Sequence, residues 1–289
     1  EDGQKKPRNK NFHGKIRGKF WNPPGMTLDE GDQVWLVEGI LDAIALIQNG
    51  IKAIALLSCS NWRDTDFKRH SGVNWVVAFD SASAGRNYSV SLYAKLVNDG
   101  LKVSCAQLPT RLKKMDWNDA AQKGILSAND IKDYLHNGSL LVAESALEKA
   151  LIMYSKTGFS AFSLTFKNRV YWFDMDLDKY HKQISELMDA DENGSGIEDD
   201  YRDEALKAAG AIKEICNCSP SFLYYQANII TDESWYYARV EFPHNGAAIK
   251  NTFTGTQVSG AGEFKKRLFS IAPGGQFVGN RAQLDSLIR

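Results

Sequence analysis

The feature that most constrains this chain is a set of short apolar runs, two of which stop at an acid, separated by stretches with helical spacing. Val34-Trp35-Leu36-Val37 ends at Glu38-Gly39, and Leu41 to Asn49 follows at helical spacing, with Gly50 placed to close that helix. Ile51 to Leu57 reads as a second buried strand. Asn74 to Phe79 reads as a third, ending at Asp80, and Lys102 to Leu108 as a fourth. Between the last two, Gly85 to Val97 has the spacing of a helix closed by Asp99-Gly100. Strands alternating with helices predict βαβ units and a mostly parallel sheet with helices on both faces, an α/β fold. In such sheets functional groups gather beyond the carboxyl ends of the strands. Glu38 and Asp80 both fall at such ends.

The pattern changes near Leu140. Ala143 to Tyr154 is helical, and Phe159 to Phe166 with Val170 to Phe173 predicts a hairpin turning at Lys167-Asn168-Arg169. Leu177 to Met188 is amphipathic. The acidic, Gly/Ser-containing stretch from Asp189 to Asp200 reads as an exposed loop. After a further helix, Phe222 to Ile230, Ser234 to Phe242 and Ala247 to Phe253 predict antiparallel strands, and Gly262 to Ser270 a helix. The expected organisation is a basic N-terminal arm at 1–29, an α/β domain at 30–138 and an α+β accessory or linker domain at 139–289.

Composition narrows the function classes. With 289 residues, 43% of them hydrophobic, the chain is long enough for two domains with real cores. No apolar run approaches a membrane span, and no secretory signal opens the chain, so a cytoplasmic protein with no membrane partner is expected. The four cysteines form no disulfide framework and no zinc-spaced set, in keeping with a reducing compartment. The five histidines are scattered without ligand spacing and read as structural. Net charge is zero, yet Lys5, Lys6, Arg8, Lys10, Lys15, Arg17 and Lys19 crowd one arm. Such an arm suits a phosphate backbone, because each neutralised phosphate releases condensed counterion; a solvated tail is the plain alternative. The opening Glu1 in place of Met reads as the start of an excised fragment.

Three acidic clusters carry the chemistry: Glu38-Gly39-Ile40-Leu41-Asp42, then Asp80-Ser81-Ala82-Ser83-Ala84-Gly85-Arg86, then Lys114-Met115-Asp116-Trp117-Asn118-Asp119. Clustered carboxylates repel one another unless a cation sits among them. Mg²⁺ or Mn²⁺ prefers oxygen ligands and keeps waters that substrate phosphates replace. Gly39 and Gly85 allow tight strand-to-helix turns. Asp42 reads equally as a first-turn helix charge or a site residue. Arg86 and Lys114 are placed to meet a phosphate or merely to cover the sheet edge, and Trp117 reads as a packing residue.

The order Glu-Gly-x-x-Asp, strand-Asp-x-x-x-Ala-Gly-Arg, Lys-x-Asp-x-Asn-Asp resembles the Toprim domain of primases, topoisomerases, recombination proteins and some nucleases. The Asp-Trp-Asn-Asp element is most similar to Toprim primases of phages, plasmids and integrative elements, which join a primase to a helicase. The resemblance implies a Toprim-type, Rossmann-like catalytic domain followed by an α+β domain. It implies that Glu38 acts as acid/base or metal organiser, that Asp80 holds metal, and that Asp116 and Asp119 complete a site for Mg²⁺ or Mn²⁺. Arg86, Lys114 and the arm residues Lys15, Arg17 and Lys19 would then contact nucleotide or template.

The implied activity is primer synthesis, a nucleotidyl transfer from ribonucleoside triphosphates templated by single-stranded DNA, during replication of a mobile element or phage. Its partner would be a helicase domain in the same polypeptide or in trans, because no Gly-x-x-x-x-Gly-Lys-Ser/Thr phosphate loop occurs here. The family's second motif is usually Asp-x-Asp, and this chain has Ala82 at the second acidic place. Losing that carboxylate removes a metal ligand, so impaired turnover is one expectation. Two alternatives stand beside the primase: a Toprim nuclease using the same metals, and a catalytically dead module that binds nucleic acid or a partner. Lys265, Lys266, Arg267 and Arg281 near the C-terminus read as tracking single-stranded nucleic acid or as solubilising charge.

Overall fold

The computed structural model describes residues 17–109, 115–190, 198–243 and 248–289. The chain divides into two compact units, 1–142 and 143–289. The first contains β1 (Gln33–Val37), α1 (Ile40–Gln48), β2 (Ala53–Ala55), β3 (Asn74–Val77), α2 (Ser83–Asn98), β4 (Val103–Cys105), α3 (Trp117–Gln122) and α4 (Ala128–Val142). The strands form one parallel sheet in the order β2-β1-β3-β4.

Alternating side chains build two cores on the two faces of this sheet. On one face Val34, Leu36, Ile54, Trp75 and Val77 pack with Leu92 and Leu96 of α2. On the other, Trp35, Val37, Ala53 and Val76 pack with Ala43 and Leu46 of α1, Trp117 of α3 and Tyr134 of α4. The expected α/β fold, with helices on both faces of a parallel sheet, is the one observed. Gly50, at φ +78°, lets the chain turn out of α1 where an L side chain would be strained. The strands are shorter than their apolar runs: Ala78 and Phe79 stay buried after β3 has ended. Gly138, the expected end of the α/β domain, lies within α4, so close to β4 that a Cβ would fall 1.9 Å from the Cys105 carbonyl oxygen.

The N-terminal segment is anchored from Arg17 onward. The Arg17 guanidinium pairs with Asp64 at 2.9 Å. Trp21 and Ala55 exchange backbone hydrogen bonds of 2.8 and 2.9 Å along the free edge of β2. Lys19 is exposed, while Lys15, Lys114 and the more N-terminal basic residues lie outside the described residues.

The second unit contains α5 (Ala146–Thr157), β5 (Ala161–Phe166), β6 (Arg169–Met175), α6 (Leu177–Ala190), α7 (Glu198–Ala209), β7 (Gly210–Cys216), β8 (Ser219–Asn228), β9 (Glu233–Glu241), β10 (Ile249–Thr254), α8 (Gly255–Val258), α9 (Ala261–Ile271) and α10 (Arg281–Ile288). It holds two antiparallel sheets, β5-β6-β7 and β10-β9-β8, as the α+β expectation requires. The predicted hairpin turns through Lys167 and Asn168, at φ +47° and +58°, the two left-handed residues that a two-residue turn of matching twist needs. Val170, Ile215, Phe253, Phe264 and Phe277 share one core, with Phe264 stacked on Phe253 and edge-on to Phe277. The acidic stretch expected as a loop from Asp189 to Asp200 lies partly outside the described residues, and from Glu198 it is already helical in α7. No helix among the described residues is long and apolar enough to cross a membrane.

Candidate metal and nucleotide site

Glu38 leaves β1 and Asp80 follows β3, and these strands are direct neighbours with Leu36 opposite Val77. The Ala78 amide donates to the Leu36 carbonyl at 2.9 Å, carrying the pairing to the sheet edge. Both acids therefore emerge at the same carboxyl edge. The loop after β2 brings in Cys59, whose thiol is pushed up by burial and then by the charges of Glu38 and Asp80. One thiol thus feels both carboxylates.

The residue the sequence left undecided, Asp42, is the buried acid of the group. It is 7% exposed, and its Oδ1 accepts the backbone amides of Trp117 and Asn118, each at 3.1 Å. Those amides open α3, where intrahelical acceptors are lacking. Burial pushes the Asp42 carboxyl up to about 6; the Asn118 amide opposes this, while the charges of Asp116 and Asp80 add to it. Asp42 therefore ties the start of α1 to the third acidic cluster and lies within electrostatic reach of the other two acids.

Asp116 is the N-cap of α3, its Oδ1 accepting the Asp119 amide at 2.7 Å, with Asp119 Oδ2 facing the Asp116 amide at 3.5 Å. Both sequence-predicted ligands are thus engaged in a capping box, and the Asp-x-x-Asp spacing is the signal that announces one. The loop is pinned from the second cluster too. The Ser81 hydroxyl donates to the Met115 carbonyl at 3.1 Å and accepts the Met115 amide at 3.2 Å. The Trp117 indole, fully buried, donates to the Ala78 carbonyl at 2.6 Å, so Trp117 packs rather than stacks on a base. All three clusters meet at one edge because each is bonded to another.

Gly85 lets α2 approach the Asp80 loop, since a Cβ there would fall 2.4 Å from the Asp80 carbonyl oxygen. Ala82 is the N-cap of α2 and offers its first turn no side-chain acceptor. Arg86 bends back on this loop, donating from Nη1 to the Ser81 carbonyl at 2.6 Å. This bond closes the loop and leaves the remaining guanidinium donors for other partners.

Among the described residues no group of three or more His, Cys, Asp or Glu is arranged to hold a metal ion. Glu38 and Asp80, at that edge, are two hard carboxylates. Such a pair fits Mg²⁺ or Mn²⁺, ions bound through one or two carboxylates plus waters and substrate phosphates, better than a closed protein cage.

Comparison with known families finds a match over residues 35–121 to the family described as Toprim-like, a span that contains Glu38, Asp42, Asp80, Asp116 and Asp119. No curated protein matches the chain. Toprim domains occur in primases and nucleases and bind divalent metals such as Mg²⁺. With the parallel sheet and its acidic edge in place, residues 35–121 of this chain form a Toprim-like domain of the kind that processes nucleic acid.

Proposed function

We propose that this chain is the primase part of a mobile-element or phage primase-helicase, joining ribonucleotides on single-stranded DNA with Mg²⁺ or Mn²⁺ held by Glu38 and Asp80. The observation that carries this reading is the emergence of Glu38 and Asp80 from adjacent parallel strands at one edge of a Toprim-like domain. A divalent ion there would neutralise the charge that develops on a transferred nucleotidyl group. Glu38, first out of β1, would take the proton of an attacking 3′-hydroxyl. Asp42 orients the start of α3, keeping Asp116 and Asp119 beside the other acids to shape the electrostatics of the edge. Lys114, Arg86 and the arm residues Lys15, Arg17 and Lys19 would meet nucleotide phosphates or template.

Primer synthesis on single-stranded DNA with labelled ribonucleotides tests the reading. Product is expected with Mg²⁺ or Mn²⁺ and is expected to vanish in Glu38→Gln and Asp80→Asn. Cleavage of the template in place of primer formation would assign the same site to a nuclease. A second reading, a binding module without turnover, is favoured by Ala82 and by the engagement of Asp116 and Asp119 in their capping box. It predicts template binding with neither product.

A further inference from the structure

The second unit carries an exposed aromatic ribbon that the Toprim-like domain does not account for. In the sheet β10-β9-β8, register places Tyr224 opposite Tyr237, Gln226 opposite Trp235, and Thr252 of β10 beside Tyr237. These residues share the face turned away from the core, because Ala238, Val240 and Phe253, at the alternate positions, are buried with Phe264. Tyr224 and Tyr237 stack with centroids 4.1 Å apart and planes 18° apart. The Tyr237 hydroxyl donates to Gln226 Oε1 at 3.2 Å, fixing the ring. Tyr224 remains 59% exposed, and the hairpin ends in Ile229 and Ile230 at 99% and 94%.

We propose that this outer face is a stacking platform for single-stranded nucleic acid, with Tyr224, Tyr237 and Trp235 as its base-binding surface and Lys250 as a phosphate contact. The choice of nucleic acid as occupant rests on the function proposed above; the platform itself rests on the ribbon. Three features favour a strand over a protein partner. The aromatics are flanked on their face by Ser221, Gln226, Asn228 and Thr252, whose amides and hydroxyls match base edges; exposed Leu223 lies in the bulge beside Tyr224. Every base offers a π-face, so the outer ring face of Tyr224, on the edge strand and backed by the stacked Tyr237, accepts any sequence. Lys250, opposite Arg239, is exposed on the same side.

The charge on this face is balanced, because Glu241 pairs with Arg239 and Glu233 sits near the tip. Binding here therefore draws on stacking more than on phosphate neutralisation, and its salt dependence is shallow.

The test uses the full chain in EDTA without nucleotides, reading anisotropy of fluorescein-labelled oligodeoxythymidylate. The double variant Tyr224→Ala/Tyr237→Ala is expected to weaken binding at least tenfold, and Tyr224→Phe/Tyr237→Phe to stay within about twofold of the parent. Tryptophan fluorescence of the parent should fall on saturation, with part of that change missing in Trp235→Phe. Affinity within about twofold of the parent in the alanine pair overturns the proposal, as does an equal loss in the phenylalanine pair or an absent fluorescence change in the parent. Should the alanine pair fail to melt like the parent, the phenylalanine and Trp235→Phe results decide. If sedimentation shows the parent self-associating and the alanine pair monomeric with DNA binding unchanged, the face is a protein interface and the platform falls. Loss of primer synthesis with binding intact would count against the proposed function alone, and an active primase with unaltered binding in the alanine pair against the platform alone.

Discussion

Replacing Asp42 by asparagine should flatten part of the pH dependence of stability in the first unit. Burial, with the nearby charges of Asp116 and Asp80, raises this carboxyl from 3.8 to about 6. Between those values the folded chain holds a proton that the unfolded chain has released. The unfolded state then binds fewer protons, so stability is greatest below about pH 4, falls as pH rises towards 6, and levels off above it. Two pH units at about 1.4 kcal/mol each give a loss of roughly 3 kcal/mol from this one group. The Asp42→Asn side chain would keep an oxygen for the Trp117 and Asn118 amides without carrying the charge. Urea unfolding followed by tryptophan fluorescence is suited to the measurement, because Trp21, Trp35, Trp62, Trp75 and Trp117 all lie in the first unit. The parent should lose about 2 kcal/mol of this relative to Asp42→Asn between pH 4 and 6.5 in EDTA. A difference that stays constant across this range, to within about 0.5 kcal/mol, would refute the reasoning. Asp42→Ala should be worse than Asp42→Asn at every pH, since it leaves two helix-start amides unmet at about 1–3 kcal/mol apiece.

Ala82→Asp adds both an N-cap acceptor to α2 and a carboxylate beside Asp80, so it should raise the melting temperature by about 2–4 °C and tighten Mn²⁺ binding. Thermal melts and calorimetric titration check the two effects, and no change in metal affinity would remove Ala82 from the account of the site. Gly138→Ala drives a Cβ into the backbone of β4 and should destabilise the first unit by about 3 kcal/mol or more, read by urea unfolding; a parent-like midpoint would mean that α4 shifts without cost. Residues 1–142 expressed alone should fold and keep metal binding while binding single-stranded DNA less well, since the ribbon is lost. A truncated chain with no cooperative unfolding transition would show that the two units share their stability.

The elements that position the site were legible because the apolar runs and their terminal acids coincide. Val34 to Val37 and Asn74 to Val77 became neighbouring strands, and the edge where Glu38 and Asp80 emerge follows from parallel pairing alone. Asp42 was not legible in the same way. An acid in the first turn of a helix is ordinary, and only the tertiary approach of α3 gives it two amides to hold. Asp116 and Asp119 were read as ligands from their motif, although their spacing also spells a capping box, which the structure forms. Arg86 was open between a phosphate and the sheet edge, and its bond to Ser81 depends on a loop conformation that no spacing rule describes. In the second unit β7 went unread, because Gly210 to Cys216 mixes charges with apolar residues on a strand that is only partly buried. The exposed aromatics of β8 were seen as a strand, but which of them share a face depends on a register shift between Phe222 and Tyr224 that sequence does not reveal.

The central claim, that Glu38 and Asp80 make one divalent-metal site in a Toprim-like domain, is tested most directly by titrating the full chain with Mn²⁺ and counting bound ion by electron paramagnetic resonance. The account predicts saturable binding in the parent, competed by Mg²⁺ and lost alike in Glu38→Gln and in Asp80→Asn, with both variants melting as the parent does. Binding that survives unchanged in either variant would contradict it.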